Sequence, residues 1–153
     1  MAEARQPVLV SACLLGEACR YDGRHNRDAA LERELEARNE HAVPFCPEEH
    51  GGLGTPRPAA WLDAGAADVL DGRARVLTEA GTDVTREFRA GAEGALAVCR
   101  EQRIAKAYLK ERSPSCGCAH THVGGRLVAG SGLTSELLRR NGVAVVGVEG
   151  RRE

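Results

Sequence analysis

The feature that most constrains this chain is a set of short apolar, β-branched runs spaced by helical patterns. Residues 7–12 (PVLVSA), 42–46, 106–110 and 143–148 (VAVVGV) each read as a buried strand. Asp28 is placed to cap a helix through about Arg38, with Leu31 and Leu35 on one face. A long helix is expected from about Asp83 to Gln102, where Val84, Phe88, Ala92, Ala95, Leu96 and Cys99 share a face. A last helix is expected to start on Thr134 as its cap, with Leu133 and Leu138 as a hydrophobic staple, and to stop at a C′ Gly142. Strands alternating with helices predict an α/β fold: a single Rossmann-like, three-layer domain over residues 1–153, with a mostly parallel sheet covered on both faces. A chain of 153 residues can bury about 70% of its unfolded surface. Aromatic residues make up only 3%, so small aliphatic side chains must fill that core.

Between these elements the sequence is loop-like. Residues 13–26 and 51–58 (GGLGTPRP) carry glycine and proline without periodicity. Residues 68–78 read as a hairpin turning on Asp71-Gly72. The formal net charge is −1, so a phosphate-binding footprint is not expected, and Arg139, Arg140, Arg151 and Arg152 read as solvated surface. The first apolar run is short and lacks the flanks of a secretory signal, and no stretch approaches the roughly 20 apolar residues of a membrane span. A cytoplasmic protein without membrane or nucleic-acid partners is the expectation. Six cysteines in that setting read as ligands, catalytic thiols or small buried side chains, and not as disulfides.

Three of the six stand at equivalent places. Cys13 follows the first strand, Cys46 closes the second, and Cys116 comes just after the strand at 106–110. Ligands of open parallel sheets bind beyond the carboxyl ends of the strands, so one site shared by Cys13, Cys46 and Cys116 is expected. Thiolates select zinc, copper(I) or iron–sulfur clusters, and three protein ligands leave one position open for substrate. Cys99 reads as core. Cys19 is a spare ligand or simply buried.

Polar residues crowd the same edge. Glu48 and Glu49 follow Cys46-Pro47, and a carboxylate there can serve as general base for water or compensate a helix N-terminus. Ser113 and Ser115 flank Pro114, where hydroxyls hydrogen-bond a ligand or satisfy a turn. Arg20, Tyr21 and Asp22 shape a polar pocket or pin their own loop. Gly51 and Gly52 permit close backbone approach to a ligand.

Seven short segments then resemble one family. They are Cys13-Leu-Leu-Gly16 with Arg20-Tyr-Asp-Gly23, Cys46-Pro-Glu48 with Gly51-Gly-Leu53, Thr55-Pro-Arg-Pro58, Gly81-Thr-Asp-Val-Thr85, and Ser113-Pro-Ser-Cys-Gly117. In this order, and over nearly the whole chain, they resemble the bacterial thiouracil desulfurases. The resemblance implies a 4Fe–4S cluster on Cys13, Cys46 and Cys116, with non-redox removal of sulfur from a thiolated pyrimidine base or nucleoside. It further implies Glu48 and Ser113 as catalytic residues; from the loop chemistry above, Arg20, Tyr21, Asp22, Gly51, Gly52 and Ser115 are the expected substrate contacts. A second cysteine, Cys118, departs from the pattern. Two other readings stay open. One is a redox or sulfur-carrier protein with Cys118 or Cys19 as fourth ligand. The other is a zinc module on Cys116, Cys118, His120 and His122.

Overall fold

The structure, a computed structural model, describes residues 4–153. Along the chain run β1 (Gln6–Ser11), a 3-10 turn (Ala12–Leu15), α1 (Ala29–Ala37), β2 (Glu40–Phe45), α2 (Pro47–His50) and β3 (Ala60–Leu62). Then follow α3 (Ala66–Leu70), β4 (Val76–Thr78), α4 (Thr85–Glu101), β5 (Lys106–Lys110), β6 (His120–Val123), β7 (Arg126–Ala129), α5 (Leu133–Arg140) and β8 (Ala144–Val148).

The four expected strands form one parallel sheet in the order β2-β1-β5-β8. Alternation of side chains across a strand decides what covers each face. Val8, Val10 and Tyr108 point to the face where Leu31 and Leu35 of α1 pack. Leu9, Ala107 and Leu109 point to the opposite face, against Ala95, Leu96 and Cys99 of α4 and Leu138 of α5. Asp28 caps α1 as expected, accepting the Leu31 N–H at 2.8 Å. The chain leaves β1 toward β2 on one side and leaves β5 toward β8 on the other. The carboxyl ends of β1 and β5 therefore border a topological switch point.

A second sheet, β4-β3-β6-β7, is new relative to the sequence expectation. Its β3–β4 and β6–β7 pairs are antiparallel, and a parallel β3–β6 contact joins them. The N-terminal part of α4 serves this sheet as well: Val84, Phe88 and Ala92 pack with Leu62, Val69 and Val76. The Asp71-Gly72 hairpin is corrected. Asp71 is the C-cap of α3 and Gly72, at φ +80°, is its C′ residue. A left-handed glycine meets either demand equally well. The Thr134 cap is corrected too. Gly132 is the N-cap of α5, and the Thr134 hydroxyl is buried inside the helix without a partner. The loop after β5 replaces the cap: Leu133 N–H donates to Pro114 O at 2.9 Å, and Thr134 N–H to Ser115 O at 2.7 Å. Among the described residues no helix is long and apolar enough to cross a membrane.

Two glycines set α2 against α4. A Cβ on Gly91 would stand 2.0 Å from Pro47 O, and one on Gly51 would stand 1.9 Å from Glu87 O. Both collisions are with backbone, so neither side can yield by a rotamer change. Gly91→Ala should gain about 0.5–1 kcal/mol in helix propensity and lose about 1–3 kcal/mol to overpacking. Lower stability is expected by denaturant titration; a Gly91→Ala chain more stable than the parent would contradict this contact.

Candidate functional site

A cavity of about 890 Å³ opens at the switch point, and its wall carries Cys13, Cys19, Cys46 and Cys116 together. Each of the three expected thiols arrives from a different connection. Cys13 lies in the 3-10 turn after β1, Cys46 is the N-cap of α2 after β2, and Cys116 lies in the loop after β5. The fold thus brings them to one edge of the parallel sheet. All six cysteines are free thiols.

The loop that carries Cys116 is fixed from both sides. Glu111, buried at its start, accepts the N–H groups of Cys118, Ala119 and His120 at 2.7, 2.9 and 3.0 Å. Ser113 Oγ accepts the Ser115 and Cys116 N–H groups, both at 3.1 Å. That leaves the Ser113 hydroxyl proton free to donate, and Ser113 lines the cavity. Carbonyls of the same loop hold the first N–H groups of α5.

The four thiols differ in acidity. Cys13 is drawn down to about 7, chiefly by the hydrogen bond from the Cys19 thiol, against the cost of burial. The Asn26 amide, donating to Cys13 Sγ at 3.5 Å, and the charges of Lys110 and Arg20 act in the same direction. Cys46 also lies below the ordinary thiol value, again mainly through Cys19. Cys19 itself is pushed up, because the proton it offers to Cys13 and Cys46 is the one it keeps. Burial pushes the Cys116 thiol well up, an effect a bound cation reverses.

Glu48 stands beside these thiols. The Arg57 guanidinium holds one carboxylate oxygen, Oε2, with Nε at 2.7 Å and a terminal nitrogen at 2.5 Å. Ser115 Oγ donates to the other oxygen, Oε1, at 3.3 Å. Side-chain exposures of 7% for Arg57 and 13% for Glu48 put this pair largely out of water. Arg57 also donates to Cys19 O at 2.8 Å and Gly54 O at 3.2 Å, so one side chain ties the Cys19 loop to the carboxylate.

The remaining candidates divide. Arg20 and Tyr21 line the cavity. Asp22 stays behind them, paired with Arg20 at 3.1 Å and accepting the Arg24 N–H. Gly51 and Gly52 stand off the cavity wall, Gly51 pressed on the α4 backbone and Gly52 at φ +101° in a turn. The zinc-module set is dispersed. The Cys118 sulfur is buried against Ser135 Oγ at 3.5 Å, His122 Nδ1 bonds Arg112 O at 2.8 Å, and His120 is exposed. Sequence reasoning gave no role to Arg57, Asn26 or Lys110. Only Arg57 left a trace, as an arginine framed by two prolines in TPRP.

The donor set fits an iron–sulfur cluster. Cys13, Cys46 and Cys116 are soft thiols on one cavity, the His122 imidazole on the same wall is bonded to Arg112 O, and an N–H donor faces the Cys13 sulfur.

Comparison with known proteins bears on this site directly. The pattern of the 2-thiouracil desulfurase family matches residues 8–149. The uncharacterized protein YbbK of Bacillus subtilis (strain 168) is 39% identical over 143 residues, covering 91% of this chain and 93% of YbbK. A solved structure of the 4Fe–4S-dependent thiouracil desulfidase TudS is 44% identical and superposes with a TM-score of 0.80, covering 94% of this chain and 91% of TudS. With the family pattern spanning the elements that carry all three cysteines, this chain belongs to the 2-thiouracil desulfurase family.

Proposed function

We propose that this protein hydrolyses the carbon–sulfur bond of a thiolated pyrimidine, taking 2-thiouracil and water to uracil and sulfide. Cys13, Cys46 and Cys116 would hold a 4Fe–4S cluster. When bound, that cluster supplies a soft Lewis acid able to draw electron density out of a C–S bond.

The observation that carries this reading is the Glu48–Arg57 pair on the same cavity wall as the three thiols. Arg57 occupies Glu48 Oε2 and thereby fixes the carboxylate plane. Oε1, held only by a long bond from Ser115, is the oxygen left to accept a proton from water. Ser113 can donate its hydroxyl proton to a substrate heteroatom. Tyr21, Leu53 and Trp61 supply apolar wall for a flat ring, and the cavity lies within the roughly 300–1,000 Å³ of small-molecule sites. No oxidation-state change occurs, since water replaces sulfide at carbon.

The test is anaerobic reconstitution followed by turnover. Iron and acid-labile sulfide should bind together, and sulfide release from 2-thiouracil should proceed with no electron donor consumed. Stoichiometric consumption of reductant would refute hydrolysis and favour the redox reading.

A further inference from the structure

Cys19 has no part in the scheme above, yet its thiol lies against one of the three cysteines in it. Cys19 Sγ, Cys46 Sγ and a carboxylate oxygen of Glu49 all lie within 4.8 Å of one another. Cys19 is buried, and Arg57 holds its carbonyl. Two sulfurs and a carboxylate at single-ion spacing supply three protein donors to a four-coordinate zinc-class ion, with water in the fourth place. A multi-iron cluster needs its ligands spread around a larger object. Cys13 and Cys116 are outside this group.

We propose that the cluster-free chain carries a mononuclear metal site, formed by Cys19, Cys46 and Glu49 with one water, which takes one zinc-class ion. Because Cys46 serves both, the ion and the cluster exclude each other; this exclusion, though not the binding, rests on the cluster assignment above. Binding is ligand exchange. The hydrated ion loses water, the thiols release protons to solvent, and nothing is oxidised or reduced. Zinc–sulfur and zinc–oxygen bonds of about 2.3 and 2.0 Å require the widest present separation to contract by about 1 Å. Glu49 is exposed and Cys46 half-buried, so both have room to move.

The test titrates the reduced, cluster-free full chain with Co²⁺ and then Zn²⁺. One Co²⁺ per chain is expected, with thiolate-to-cobalt charge transfer and the visible bands of a tetrahedral ion, displaced by Zn²⁺. Cys19→Ser should weaken zinc binding by more than about tenfold, while Cys116→Ser should bind zinc like the parent. X-ray absorption of the zinc-loaded parent should count two sulfurs and two oxygens, whatever the variants do. Equal affinity in the Cys19→Ser chain, or a shell with fewer than two sulfurs, overturns the site. Zinc added before iron and sulfide should block cluster loading in the parent and not in Cys19→Ser; equal loading in both overturns the exclusion. Neither measurement reads turnover, so the zinc site and the desulfuration can fail separately.

Discussion

A Cys116→Ser chain, reconstituted anaerobically, is expected to lose its brown absorption, most of its iron and all measurable sulfide release. Burial strongly opposes Cys116 as a free anion. A thiol so placed is of use as a ligand when a cation stands opposite. Serine offers a hard oxygen in place of soft sulfur and does not replace it on iron. Cys118→Ala, two residues on, is the matched control. Its sulfur turns away toward Ser135 and the Cys116 carbonyl, within the core shared with α5. That variant should retain full iron and turnover, at most with a small loss of stability. Retained iron in Cys116→Ser together with lost iron in Cys118→Ala would move the third ligand to Cys118.

Glu48→Gln should keep its iron and sulfide and lose about 10²–10⁴ in kcat, the usual contribution of a positioned general base. The glutamine is nearly isosteric: its amide oxygen can still accept from Arg57 while its NH2 donates to Ser115 Oγ, so the cavity wall should survive. What disappears is the ability of Oε1 to take a proton. Substrate binding should change little, so the loss should fall on kcat rather than KM. Comparing iron content, thermal melting and steady-state kinetics on one preparation separates the possibilities. Parental kcat in the iron-loaded variant would remove Glu48 from proton transfer.

The cysteine-bearing edge was legible in the sequence because each cysteine follows an apolar run that reads as a strand, although β2 proves to be a partly exposed edge strand rather than a buried one. Leu9 and Val10, flanked by apolar neighbours, need cover on both faces, and only a central parallel strand provides it. The second sheet was not legible. Its strands are three or four residues long, and β6 and β7 read HTHV and RLVA, too short for a period of two to emerge. The paired Gly124-Gly125 between them was the one turn signal. Thr134 misled because local cap chemistry ignores what arrives from elsewhere in the chain. Carbonyls of Pro114 and Ser115 had already met the N–H groups that a threonine would have served. Arg57 was hidden for the same reason: its partners Glu48 and Cys19 O are brought to it by the fold.

The β1–α1–β2 unit has a bearing on the order in which cofactors reach this protein at the ribosome. Cys13, Cys19 and Cys46 all belong to that one stretch of contiguous chain, with parallel partners joined by a single crossover. Cys116 joins them only when β5 docks on β1, a pairing between residues nearly a hundred positions apart. Contacts of such range close late during folding. On the ligand sets proposed above, a half-synthesised chain would present Cys19, Cys46 and Glu49 together while Cys116 is still unmade, so a thiophilic ion would meet its whole site before a cluster could meet its third ligand.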